Sequence, residues 1–310
     1  MSSVKEDEVI SEKKDTMMSC CASCGAAEGD DVQLKKCNGC YLVRYCGLTC
    51  QRNHRLQHKK ACKKRAAELR DELLFQQPES SYLGDCPICC LPFPVDDNKY
   101  VYHSCCSKSI CKGCTFSNAK RLIEERLDHT CPFCRSEIRR SDIKQPSQKM
   151  MKRVQANDPS AISEIGIIRC QEGNHAEALQ YFTKAAELGH ANAHCNLSIM
   201  YRKGEFVEKD EKKFLYHAEE AAIKGHLGAR CGLAEYEMEK FRPDRAVKHL
   251  TIAANLGHDN SMEALKIAYK GGMVSKEDFA SALRAHKAAA DEMKSPQRDA
   301  VEAFEAAGKK

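Results

Sequence analysis

Lys184-Ala-Ala-Glu-Leu-Gly-His190, Glu220-Ala-Ala-Ile-Lys-Gly-His226 and Ile252-Ala-Ala-Asn-Leu-Gly-His258 are three variants of one phrase. Their glycines stand 36 residues apart (Gly189 to Gly225) and then 32 (Gly225 to Gly257). Self-similarity at such a period marks stacked helix pairs, each too small to bury its apolar face alone. The paired alanines let two helices approach closely, and the glycine closes the second helix at its C-cap. A degenerate fourth copy, Ala288–Ala290, follows without the glycine. These phrases predict an α-solenoid over 158–293, whose concave face suits a protein or peptide partner. The histidines that follow the glycines fall one per repeat on separate turns, a spacing that fits capping rather than a shared metal. Cys170, Cys195 and Cys231 read as small core residues.

Outward from the solenoid, 294–310 reads as a C-terminal tail and 141–157, with Pro146, as a linker or short bridging helix. Upstream the composition changes. Of 20 cysteines in 310 residues, 17 fall between Cys20 and Cys134. Such a cluster means disulfides in a secreted chain or thiolates on zinc in a reducing compartment. The N-terminus, MSSVKEDEVISEKKDTMM, carries charges throughout and no apolar core, so 1–19 reads as a disordered N-terminus and not as a secretory signal. No stretch approaches the roughly 20 apolar residues that span a bilayer. The expectation is an intracellular protein without a membrane partner, with zinc as its cofactor.

The first cluster, in segment 20–62, reads Cys21-x2-Cys24-x12-Cys37-x2-Cys40-x5-Cys46-x3-Cys50-x7-His58-x3-Cys62. A Cys-x2-Cys pair in a tight turn points two sulfurs at one ion, and zinc takes four such donors in a tetrahedron. Cys46/Cys50 and His58/Cys62 have the i, i+4 spacing of one helix face. Eight donors make two sites, with Cys20 and His54 left over. The pattern resembles the MYND zinc finger over its full length, including Cys50-Gln51 and His58-Lys59. That resemblance implies interleaved sites, Cys21, Cys24, Cys46 and Cys50 on one zinc and Cys37, Cys40, His58 and Cys62 on the other. MYND domains that grip proline-rich peptides carry a Trp where this chain has Arg55, which puts that role in doubt and leaves the fold expected. Residues 63–84 read as a helical tail, with Ala66, Leu69, Leu73 and Leu74 at helical spacing, ended before Pro78 and followed by a linker. The cations Lys59, Lys60, Lys63, Lys64 and Arg65 read as a solvated face; contact with an acidic partner, nucleic acid or a nuclear import receptor is the sharper reading.

The second cluster, in segment 85–140, has three knuckles: Cys86-Pro-Ile-Cys89, Cys111-Lys-Gly-Cys114 and Cys131-Pro-Phe-Cys134, with Cys105-Cys106 between the first two. It resembles a RING finger, in which knuckles one and two share one zinc and the third shares another with two middle ligands. A standard RING places His or Cys two residues after Cys106, where this chain has Lys108. The missing ligand is then Cys105, His103 or His129. Cys105 with Cys106 is preferred, although vicinal ligands on one ion need a strained backbone. RING ubiquitin ligases share an apolar residue in the first knuckle, a proline in the last and a basic residue after it; Ile88, Pro132 and Arg135 fit. The resemblance implies a ubiquitin-conjugating enzyme as a partner and catalysis by preorganising that enzyme's thioester.

The helical phrases resemble Sel-one-like repeats, best in the loop Gly204-Glu-Phe-Val207-Glu-Lys-Asp210-Glu-Lys-Lys213, which the first and third copies shorten. The whole arrangement, with the closing Lys276–His286 run, resembles a group of predicted algal proteins with no assigned function, so it implies architecture only. No phosphate-binding glycine loop or nucleophile elbow occurs, and the net charge of +5 does not favour nucleic acid. The fold expected is mainly α, two small cross-braced zinc modules followed by an α-solenoid. The function expected is an interaction scaffold, with a RING-type ubiquitin ligase and a nuclear MYND-type regulator as alternatives.

Overall fold

The computed structural model describes residues 20–138 and 148–307. The expected disordered segment 1–19 lies outside the described residues, as do 139–147 and 308–310. The chain forms two compact units that part between Gln76 and Gln77. In the first, strands β1 (Lys35–Lys36) and β2 (Arg44–Tyr45) pair antiparallel and are followed by helix α1 (Leu48–Leu74). This one helix runs from the finger through the expected helical tail and ends at Phe75, before Pro78. Its basic face is solvated and partly compensated, because Arg65 pairs with Glu68 and Glu72.

The second unit opens with the other cysteine module. Strands β3 (Tyr100–His103) and β4 (Lys108–Cys111) form an antiparallel hairpin with Tyr100 opposite Cys111. Helix α2 (Lys112–Glu124) follows, with the Cys111 thiol accepting from the Cys114 N–H at its start. Helix α3 (Gln148–Gln155) then leads into the solenoid: α4 (Pro159–Gln171), α5 (His175–Glu187), α6 (Ala191–Lys203), α7 (Glu211–Ile223), α8 (Leu227–Glu239), α9 (Pro243–Asn255) and α10 (Asp259–Lys270). Each packs on its chain neighbour. The paired alanines are buried as the repeat requires: Ala185 and Ala186, Ala221 and Ala222, Ala253 and Ala254. His190, His226 and His258 each cap the following helix, accepting from the N–H of Ala193, Ala229 and Ser261. Seven residues join α6 to α7 and three join α8 to α9, a four-residue difference that accounts for the two glycine intervals.

The fourth phrase does not close a pair. Ala288–Ala290 lie on the long helix α11 (Lys276–Glu292), which packs on α9 and α10 with little of its surface buried. Beyond it, where the sequence suggests a tail, helix α12 (Pro296–Ala307) turns back onto α2. Phe304 meets Phe116 with ring centroids 5.1 Å apart, and Lys99–Glu302 and Lys112–Glu305 pair at 2.7 Å. Gly113 lets the two backbones touch, since a Cβ there would lie 2.8 Å from the Arg298 nitrogen.

Gly189, Gly225 and Gly257 all take φ near +83 to +85°, the left-handed position that favours glycine. Their surroundings differ. A Cβ on Gly189 would meet only the Lys224 ammonium at 3.6 Å, whereas one on Gly225 would meet the Ser80 carbonyl oxygen at 2.7 Å. Gly225 is where the chain leading into the cysteine module lies on the solenoid: Tyr82 donates its N–H to the Gly225 carbonyl, and its ring stacks on His226 at 4.4 Å. Gly189→Ala is expected to cost about 1 kcal/mol, the left-handed backbone alone. Gly225→Ala is expected to cost roughly 2–4 kcal/mol because backbone strain and a backbone clash add. Gly225→Val is expected to cost at least as much. Denaturant midpoints of the variants check this, and equal losses at Gly189 and Gly225 would remove the docking contact from the account.

Candidate metal centres

Four quartets of side chains gather their donor atoms within 4.8 Å of one another: Cys21/Cys24/Cys46/Cys50, Cys37/Cys40/His58/Cys62, Cys86/Cys89/Cys111/Cys114 and Cys105/Cys106/Cys131/Cys134. A tetrahedron with Zn–S bonds of about 2.3 Å has edges of about 3.8 Å. The sulfur pairs match that edge: 3.6 Å for Cys24–Cys46, 3.7 Å for Cys37–Cys62, 3.8 Å for Cys89–Cys111 and 3.9 Å for Cys106–Cys131. His58 turns Nε2 to the Cys40 sulfur at 3.2 Å. All 20 cysteines are free thiols, so the spacing reflects convergence on a common centre and not disulfide bonding.

The backbone that produces this convergence repeats. After the second cysteine of four knuckles the next residue is left-handed: Gly25 (φ 75°), Tyr41 (57°), Cys90 (55°) and Arg135 (57°). In each case its N–H returns to the carbonyl of the first cysteine, at 2.8–2.9 Å. This closed turn leaves both sulfurs on one side. The vicinal pair Cys105-Cys106 occupies the turn between β3 and β4, and the strain it demands appears at Ser107, whose φ is 52°.

One local expectation changes. Cys46 precedes α1, which starts at Leu48, so Cys46 and Cys50 do not share a helix face although their sulfurs lie 3.5 Å apart. His58 and Cys62 do lie on α1. The leftover groups are placed clearly. Cys20 is exposed and belongs to no quartet. His54 stacks on His58 at 5.6 Å and bonds the Tyr45 hydroxyl through Nδ1, which occupies it one turn from the cluster. His103 is buried outside the fourth quartet, and His129 is likewise not in it.

The sequence gives no signal for Arg298. It is buried, and its guanidinium donates to the carbonyls of Leu91, Pro92 and Met293 and reaches the Cys89 sulfur at 3.6 Å. An N–H directed at a metal-bound sulfur steadies the thiolate, and here it comes from α12, 209 residues along the chain. Ile88 and Arg135 are exposed and Pro132 is half-buried. Near the first finger, Arg52, Arg55, Lys59 and Lys63 rim a cleft of about 480 Å3, a basic wall in place of an aromatic one.

Residues 21–62 match the family model of the MYND finger. This segment is a MYND finger. Residues 164–190, 191–226 and 240–258 match the Sel1 repeat, so the solenoid is built of Sel1 repeats. Among solved structures, c5321, a protective antigen of uropathogenic Escherichia coli with an SLR fold, is 26% identical over 47% of this chain (TM-score 0.40). The match covers 33% of that antigen, so this chain spans about a third of it. A Sel1 repeat protein from Oxalobacter formigenes is 27% identical over 38% of this chain and 94% of its own (TM-score 0.35). No curated protein matches the chain. The MYND finger and the four quartets make zinc the metal of this protein, and among the described residues no helix is long and apolar enough to cross a membrane.

Without metal the clustered thiols divide: burial raises the Cys21 thiol, but backbone N–H groups outweigh it and draw it down to about 6, while others keep their protons. The Cys46 thiol is pushed up to about 12 by its bonds to Cys50, Cys24 and Cys21, and burial with its bond to Cys37 pushes Cys62 up to about 11. Zinc must displace these protons, so the loaded state binds fewer of them and metal affinity falls as pH falls. Elemental analysis is expected to give four zinc ions per chain, with protons released on loading. Each structural site contributes on the order of 10 kcal/mol. Chelation should therefore open both cysteine modules while α5–α9 keep their packing. Helix α12 should loosen with the second module, read as faster amide exchange over 296–307 than over 175–255. Unchanged exchange in α12 on full zinc loss would refute its dependence on the metal.

Proposed function

We propose that the sixteen quartet residues are the ligands of four structural zinc ions and that the protein is a zinc-dependent interaction scaffold. The observation that carries this reading is that the second module is joined to the Sel1 solenoid from two directions. The 80–82 segment lies on Gly225 and His226, and α12 lies on α2. Such bracing holds a composite surface in one shape. It supplies no nucleophile, and each quartet spends its four donors on one ion, which leaves no open coordination position. The repeats supply the protein-binding face and the MYND finger a second surface. Its basic rim, with Arg55 in place of an aromatic wall, fits an acidic segment better than a proline-rich one.

A RING-type ligase is the second reading, favoured by Ile88 at 42% exposure in the first knuckle and by the exposed Arg135 after the last. Nuclear import through the Lys59–Arg65 run is weaker, since Arg65 is engaged by Glu68 and Glu72.

The zinc-loaded chain incubated with ubiquitin-charged conjugating enzymes separates the first two readings. A scaffold leaves the discharge rate at its background value, and Ile88→Ala and Arg135→Ala change nothing. Cross-linking should then place partners on the repeat helices. Accelerated discharge would establish the ligase if Ile88→Ala lost enzyme binding by roughly thirtyfold while Arg135→Ala kept binding and lost rate. Arg135→Ala is the informative change because alanine bears the same left-handed strain as arginine, so the difference reports the side chain and not the knuckle.

A further inference from the structure

A cleft of about 770 Å3 opens between the second module and the first repeat helices, apart from all four quartets. Tyr82 from the chain ahead of β3, with Tyr100 and Tyr102 on β3 itself, forms one wall, and α4 forms the other with Ser163 and Glu164. Its volume is that of pockets that hold a side chain or a small ligand.

The cleft carries hydrogen-bond acceptors with nothing to accept. Ser163 is 1% exposed and its hydroxyl has no partner among the described residues; the buried Tyr102 hydroxyl has none either. Glu164, half-buried in the same lining, makes no hydrogen bond or ion pair among the described residues. Burial raises its carboxyl above the ordinary range. Burial raises the Tyr102 phenol most, the Ser107 hydroxyl beside it acts in the opposite direction, and the nearby Glu164 charge adds to the rise. Asp97, which accepts from the Tyr100 hydroxyl at 2.6 Å, and Asp85 add two more carboxylates to the lining. Against these three stands Lys108 on the exposed edge of β4. His190 contributes no charge near neutral pH, because burial pulls its imidazole down to about 4. Such a cleft selects a cation.

We propose that this cleft binds a primary alkylammonium group, the side chain of a lysine on a partner protein. An ammonium has three donors and no acceptor, which matches the Glu164 carboxylate and the Tyr102 and Ser163 hydroxyl oxygens. The tyrosine rings offer the cation π faces, and Ile167 and Phe93 offer apolar surface for its methylene stem. Arginine fits less well, since its planar fork looks for a paired acceptor in one plane. That the ammonium sits on a protein rests on the scaffold reading, whereas the ammonium site itself does not.

The test uses the zinc-loaded full chain and three probes followed by NMR titration: an alanine-based peptide with a single lysine, its norleucine counterpart, and spermidine. The lysine peptide is expected to bind at least about tenfold tighter than the norleucine peptide. Glu164→Gln should weaken it by roughly tenfold and Tyr102→Phe by a few-fold, with zinc content and melting temperature unchanged. Spermidine binding with a silent lysine peptide would keep the ammonium site and overturn the protein lysine, which is failure of the scaffold reading at this cleft. Equal binding of lysine and norleucine peptides, no binding of any probe, or full binding by Glu164→Gln would overturn the proposal itself.

Discussion

A zinc ion with four donors about 2.3 Å away fixes four points of the chain inside a volume smaller than one leucine side chain. The two cysteine modules need that constraint because they have little else. The buried residues of the first are Cys21, Cys37 and Cys40 with Leu34 and Tyr45, and those of the second include Cys86, Cys111 and Cys131 with Phe93 and Ile110. Cores of that size cannot offset the conformational entropy of about 40–50 residues. The sulfurs that occupy the centre are also poor company for one another without a cation, since each thiolate raises the proton affinity of its neighbours. Metal therefore acts as the missing core and as the neutralising charge together, and the hairpins and turns around it follow from where it holds the chain.

The same backbone problem is solved in two chemically different ways in this protein. Both the knuckles and the solenoid need residues in the left-handed region. The solenoid mostly uses glycine, at Gly189, Gly204, Gly225 and Gly257, with Asn157 and Phe241 as exceptions, whereas three of the four knuckles use Tyr41, Cys90 and Arg135. A non-glycine residue there costs on the order of 1–2 kcal/mol. The knuckle tolerates it because a bound ion outweighs it several-fold, while the helix ends of the solenoid bear it at Asn157 and Phe241 and avoid it with glycine at the repeat phrases. This also gives Cys90 a reason to be where it is without being a donor: it occupies the turn position after Cys89, not a coordination position.

Much of this was legible in the sequence because the signals were local or strictly periodic. The Gly-His phrases, the burial of the alanine pairs and the shortened loop at 240–242 all follow from spacing, as do most of the metal donors, while their grouping into quartets came from the resemblance to MYND and RING fingers. What escaped was contact across long separations. Nothing about Arg298 announces that its guanidinium will reach the turn after Cys89, and 294–310, read as a tail, gave no sign of the helix that returns to α2. Gly225 was readable as a helix end, but its second role, leaving room for the Ser80 carbonyl, depends on a segment 145 residues upstream. Cys46 was misplaced by one turn because i, i+4 spacing also arises when a ligand sits just ahead of a helix.

These long contacts have a thermodynamic consequence. Tyr82, Tyr100 and Tyr102 stand on the cysteine module, while Ser163 and Glu164 stand on the solenoid, so the cleft between them exists only while the module is folded and docked. Folding of the module depends on its metal. Whatever gains free energy by sitting in that cleft therefore stabilises the docked, zinc-loaded form over any other, and by reciprocity zinc raises the affinity of the cleft by the same factor. Neither the metal nor the ligand needs to touch the other for this, because the hairpin β3–β4 carries the coupling. Tyr102 faces the cleft from one end of that hairpin's first strand, and Cys105 and Cys106 are held in its turn three and four residues later. Two residues of hairpin, His103 and Ser104, separate the first of these ligands from a recognition wall, and that short distance turns a metal used only for folding into a condition for binding.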